Sequence, residues 1–170
     1  MSHLQVDSIS SMGGGHVDGA GKVLQVVQAE TTTKVETTAN GVWIDCGAVL
    51  SITPTFSSSK VYLSNSATGI VNATNNLSVA VRLLRNVNGG GWDTVISRAR
   101  QAYVSSNLGG YAPLHYGIEY LDSPNTTLTV EYKIQLYVSE TGSNVRYNDV
   151  ENLVSPNTSK STLIAQEIAQ

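Results

Sequence analysis

"TTLTVEYKIQLYVS", residues Thr126 to Ser139, decides the fold. Leu128, Val130, Tyr132, Ile134, Leu136 and Val138 occupy alternate positions, with Thr127, Thr129, Glu131, Lys133 and Gln135 between them. A period of two kept over that length marks an extended strand with one dry face and one wet face. Burying six such side chains contributes on the order of 10–15 kcal/mol gross, at about 1.5–3 kcal/mol each. A slip of one residue would turn the whole apolar set outward, so the register is held firmly. This strand is expected at the centre of a sheet.

The same reading extends along the chain. "LSVAVRLLR" alternates from Leu77 through Val79 and Val81 to Leu83. "KVYLS" from Lys60, "DTVIS" from Asp93, "HYGIEYL" from His115 and "STLIAQEI" from Ser161 read as further strands. "KVLQVVQ" and "TKVETT" lie either side of Ala29-Glu30, while "GVWID" and "AVLSIT" meet at Cys46 and Gly47. Asn40-Gly41 and Asn88-Gly89 are hairpin dipeptides, since a type I′ turn needs positive φ at both central residues. Ser123-Pro124-Asn125-Thr126 fits a type I turn, and the same four residue types recur from Ser155. No segment carries a 3.6-residue apolar period for more than two turns. Many short strands at this spacing predict an all-β protein, an antiparallel β-sandwich of jelly-roll type.

Composition narrows the function. The 170 residues suit one domain, or one domain with a short appendage. Only 14% of residues are charged and the net charge is −3, with no basic cluster, so the footprint of a nucleic-acid binder is missing. No apolar run approaches the length of a membrane helix. "MSHLQVDSIS" has neither the basic nor the apolar region of a secretory signal, so the Asn-x-Ser/Thr triplets at Asn72, Asn76, Asn125 and Asn157 are expected to be unglycosylated. Cys46 is the sole cysteine and reads as a small buried apolar group.

"GGGHVDGAGK", Gly13 to Lys22, resembles a phosphate loop at first sight. Counting back from Gly21-Lys22 puts His16 where the first glycine belongs and Val23 where the magnesium-binding hydroxyl belongs. A strand follows instead of a helix N-terminus, so the anion would find no helix dipole. The stretch is a joint. Residues Met1 to Gly21 therefore read as an extended N-terminal arm and Gly-rich hinge, and residues 22–170 as the sandwich. Leu4, Val6 and Ile9 in "LQVDSI" are the arm's candidate anchoring residues, able to add a strand to a neighbouring protein.

No catalytic or metal constellation emerges, so no enzyme activity and no cofactor are expected. His3, His16 and His115 lie far apart, and none has a second ligand at motif spacing. His16 with Asp18 reads as solvated hinge and His115 as a hydrogen-bonded surface or interface histidine. Asp149 and Glu151 read as a solvated turn. The aromatics say more: eight tyrosines stand against one phenylalanine. Tyr offers large, rigid contact area with a polar tip. Trp43, Trp92, Tyr103, Tyr111, Tyr116 and Tyr120 are the candidates for surface binding or for packing between subunits.

Taken as a set, "GKVLQVVQAETTTKVETT", "VWIDCG", "SITPTFSSSKVYL" and the terminal "STLIAQEIAQ" resemble a β-rich module of bacteriophage virion appendage proteins. The likeness is strongest over Gly21 to Leu63 and at the C-terminus, and no long repetitive shaft accompanies it. The resemblance implies a homotrimer held to another virion protein by its N-terminal arm, made in the host cytoplasm and carried on the virion. A short fibre or tip that binds the host surface, with a host surface glycan as the partner such a role implies, is the first role implied. Capsid decoration or a head fibre is the alternative, and a stand-alone lectin-like carbohydrate-binding domain is the rival without a particle.

Overall fold

A computed structural model describes residues 21–72, 77–104, 111–139, 144–149 and 159–170, with only the backbone of 98–104. The arm, including Leu4, Val6 and Ile9, lies outside the described residues, as does the second Ser-Pro-Asn-Thr stretch.

Strands β1 (Val23–Thr31), β2 (Val35–Thr37), β3 (Trp43–Ile52), β4 (Lys60–Asn72) and β5 (Leu77–Val87) lead the chain order. Strands β6 (Trp92–Val104), β7 (Ala112–Asp122), β8 (Val130–Val138), β9 (Asn144–Tyr147) and β10 (Ser161–Ile168) follow. One sheet runs β1-β10-β4, with β7 along the other side of β4 and with β9 and β2 beside its far half. The other runs β3-β8-β5-β6. Every pairing is antiparallel. With the short β2 and β9 set aside, the eight remaining strands, counted in chain order, lie 1-8-3-6 against 2-7-4-5. That is the strand order of a jelly roll. The all-β antiparallel sandwich expected from the alternation is the fold.

The deciding strand, β8, is an inner strand flanked by β3 and β5. Val130, Tyr132, Ile134, Leu136 and Val138 are buried between the sheets, against side chains that include Val61, Leu63, Ile118 and Leu163. Leu128 departs from the expectation and is 50% exposed. Its amide donates to Thr126 Oγ1 at 3.0 Å, a local turn that takes it out of the ladder before the strand begins.

The turns sort by geometry. Asn88 and Gly89 have φ of 49° and 76°, and Gly90 N donates to Val87 O at 2.9 Å. This is the expected type I′ hairpin joining β5 to β6. Asn40-Gly41 is not a hairpin: only Gly41 has positive φ, and the turn joins β2 to β3, which lie in different sheets. Asn125 takes φ of 52°, which rules out the expected type I turn over Ser123–Thr126, and the chain bends instead at Thr127 and Leu128. "GVWID" and "AVLSIT" form one strand, β3, interrupted by a bulge. Asp45 pairs with Gln135 and Val49 with Lys133, so Cys46, Gly47 and Ala48 stand opposite Ile134 alone. Gly47 takes φ of 90°, which suits glycine. Cys46 turns inward and burial pushes its thiol pKa up, which removes it as a nucleophile.

Two polar devices lock the sandwich. Asp122, buried at the end of β7, accepts from Arg85 Nη1 at 2.9 and 3.0 Å and from Tyr132 Oη at 2.7 Å. The aspartate belongs to one sheet and both donors to the other. Asp122→Asn is expected to cost about 1–3 kcal/mol, because the Arg85 charge loses its partner. Urea unfolding with an unchanged midpoint would rule that coupling out. The second device is Glu167 on the dry side of β10, 0% exposed. Its carboxylate accepts from Thr55 N at 2.7 Å, Thr55 Oγ1 at 3.0 Å, Phe56 N at 3.4 Å and Gln25 Nε2 at 2.6 Å. Burial raises its pKa, but the hydrogen bonds from Gln25 and Thr55 outweigh it and hold the carboxyl below its ordinary value.

These contacts give the sandwich a polarity. Strands β3, β5, β7 and β10 end, and β1, β4, β6 and β8 begin, at one pole. There Gly21 N donates to Ala169 O at 2.7 Å and Ala169 N to Lys22 O at 2.9 Å. Residue 21, the first described residue, thus sits at the Glu167 pole.

Candidate binding face

The outer face of the four-stranded sheet carries an assembly of aromatic and charged groups outside the core. Its wet positions follow from the strand period: Lys133, Gln135 and Tyr137 on β8 alternate with buried residues, and Arg82 on β5 stands opposite Gln135. Trp43 lies beside Tyr137, with ring centroids 5.1 Å apart and planes inclined by 40°. The Arg82 guanidinium sits 4.4 Å from the Trp43 ring centroid and donates from Nε and Nη2 to Gln135 Oε1, at 2.9 and 2.6 Å. Gln135 Nε2 donates to Asp45 Oδ1 at 2.6 Å. Lys133 Nζ donates to Asp45 Oδ2 at 3.0 Å and lies 4.3 Å from the Trp92 ring centroid. One unbroken chain of contacts therefore links the two tryptophans across the sheet.

Asp45 is the hub. Partial burial raises its pKa, yet the hydrogen bonds from Gln135 and Lys133 and the positive charges of Lys133 and Arg82 bring it below the usual carboxylate range. It is ionised at neutral pH. Beside it the β3 bulge opens a hollow of about 140 Å³, lined by Asp45, Gly47, Ala48, Val49, Trp92 and Lys133. Bulges commonly mark places where a strand re-aims side chains for binding.

A second, broader hollow of about 410 Å³ lies on the other sheet, lined by Ser64, Asn65, Ser66, His115, Gly117 and Glu119. His115 Nε2 is 3.3 Å from Ser66 Oγ. Glu119 stands four residues along the same strand, about 13 Å away at ~3.3 Å per residue, too far along the backbone to orient the imidazole as a triad acid would. Among the described residues, no three His, Cys, Asp or Glu side chains converge to hold a metal ion, and no helix is long and apolar enough to cross a membrane.

The candidate aromatics separate. Trp43 and Trp92, both half-buried, share the face just described. Tyr116 is corrected: at 0% exposure it belongs to the core, its ring 5.5 Å from that of Tyr147, so it has no surface to offer a partner. Tyr147 is buried with it. Tyr120 is half-buried against the core, and Tyr111 is exposed with Arg146 at 4.5 Å from its ring centroid. Tyr103 lies on β6 opposite Ser78. Asp149 is not solvated but buried, 2.7 Å from Lys34 Nζ and 3.4 Å from Arg146 Nη1; Glu151 lies outside the described residues. Arg82, Lys133, Gln135, Tyr137 and Asp45 escaped the sequence reading as site residues. Only the pairing register, which brings three separate strands together, reveals them as one group.

The sequence matches no family model, and no curated protein matches it. Among solved structures, the fold is similar to a protein of the infectious bursal disease virus Gx strain, at a TM-score of 0.45 and 12% identity, over 98% of this chain and 42% of that one. It is similar to Eiger TNF from S. frugiperda at 0.44 and 11%, over 85% of this chain and 95% of that one. A tailspike protein of bacteriophage CBA120, described as its enzymatically active domain, follows at 0.28 and 16%, over 89% and 21%. This chain thus spans about two fifths of the viral protein it matches. The assignment of function rests on the residues themselves.

Proposed function

We propose that this chain is a non-enzymatic bacteriophage virion protein, a short trimeric fibre or tip that residues 1–21 attach to the particle and whose sandwich meets the host surface. One observation carries the reading. The segments that resemble the phage appendage module are welded into a single unit at the arm's pole. Gln25 from "GKVLQVVQ", Thr55 and Phe56 from "SITPTF" and Glu167 from "STLIAQEI" meet in one hydrogen-bond cluster. Oligomerisation has support on the outer face of the six-stranded sheet. Val26, 57% exposed, pairs with Gln166, which pairs with Tyr62, which pairs with Leu121, 45% exposed. The three apolar members form one line across the sheet near the arm's pole, a surface suited to burial between copies.

Antibody-gold labelling of intact particles tests the reading. Label at the tail supports the fibre; label spread over the head makes the protein a capsid decoration; particles free of label overturn the virion assignment. Deleting residues 1–21 is expected to shift the melting temperature by no more than about 3 °C, equivalent to roughly 1 kcal/mol, and to abolish incorporation into particles. A truncated protein that failed to fold would make the arm part of the core.

A further inference from the structure

We infer that the hollow beside the β3 bulge is a saccharide-binding site, recognising a neutral sugar through a vicinal diol. This deepens the host-surface part of the proposal above and rests on it. The argument is one of unspent capacity. A carboxylate offers about four lone-pair positions, and Asp45 uses one on Gln135 and one on Lys133. An ammonium has three donors, and Lys133 directs one to Asp45 while its charge rests on the Trp92 ring. One sugar hydroxyl donates to Asp45 as its neighbour accepts from Lys133, a pattern that two adjacent hydroxyls satisfy together.

The remaining walls suit the rest of the ring. Trp92 and the exposed Val49 present apolar surface to the C–H face of a pyranose. Asp45 and Lys133 cancel in charge, so a neutral ligand loses nothing to repulsion, whereas an anion would meet the carboxylate and a cation the ammonium. The volume, about 140 Å³, equals roughly five liquid-water volumes at ~30 Å³ each, the scale of one sugar ring. The Arg82–Gln135 pair behind Asp45 acts as a positioning device, holding the carboxylate through Gln135 Nε2.

The test is titration of the full chain with glucose, galactose, mannose, N-acetylglucosamine and lactose, read by tryptophan fluorescence and by saturation-transfer NMR. At least one sugar is expected to bind, with affinity falling at least tenfold in Asp45→Asn and in Trp92→Ala, and unchanged in Glu119→Gln on the opposite sheet. Circular dichroism verifies that each variant is folded, and Lys133→Met supplies a second route if Trp92→Ala is not. Absence of binding by all five sugars, or binding indifferent to Asp45, overturns the site. The particle-labelling result is read separately, so a virion protein that binds none of these sugars sinks this inference alone.

Discussion

Gly69→Ala is expected to leave the domain unfolded or severely destabilised. Gly69 lies on β4 where that strand's neighbour changes from β10 to β9. A β-carbon there would stand 2.0 Å from the Arg146 carbonyl oxygen and 2.6 Å from a carbon of the Tyr116 ring. The first obstacle is backbone and the second a fully buried ring stacked on Tyr147, so neither has room to yield. Overpacking a rigid core costs about 1–3 kcal/mol, and more when backbone must move. Against a total stability of about 5–15 kcal/mol, a loss of at least ~3 kcal/mol should lower the melting temperature by roughly 6–12 °C. A variant melting within two degrees of the parent would show that β9 is not seated against β4 as described.

Glu167→Ala comes second, with an expected loss of about 2–4 kcal/mol, since four part-buried donors lose a charged acceptor at once. Glu167→Gln should recover only part of this. Its amide nitrogen faces donors at Thr55 or Gln25 whichever way it turns, and two donors repel. The same carboxylate predicts an acid dependence. Its folded pKa lies below the ordinary value of 4.5, so between those two values the unfolded chain binds more protons and stability falls with falling pH. The contribution is complete above about pH 4.5 and disappears as pH drops through the folded value. The variant's stability should therefore decline less steeply in that window than the parent's. Parallel curves from pH 6 to pH 3 would remove Glu167 as the cause.

Strand identity was legible because burial imposes a period of two, and β8, β5 and β10 announce it. Register across strands was not legible, since alternation says which face a residue takes and nothing about which strand lies beside it. Trp43 and Trp92 could thus be singled out as aromatic, while Asp45, Gln135 and Arg82, which join them, looked like ordinary wet-face residues. Tyr116 failed for a related reason. It sits in a tyrosine-rich segment of polar character, and only the missing side chain of Gly69, on another strand, opens the space that buries it. Glu167 reads as solvent-facing by its charge. Its burial depends on amides from a loop more than a hundred residues earlier in the chain.

The two backbone hydrogen bonds between residues 21–22 and Ala169 have a mechanical meaning. Tension applied at residue 21 and balanced at the opposite pole runs along β1, which is paired to β10 from Val23 to Thr31. Such a load shears the ladder, so its hydrogen bonds must yield together, whereas a pull across the strand would unzip them singly. The tether proposed for residues 1–21 would therefore resist being torn away with the strength of a whole strand pair.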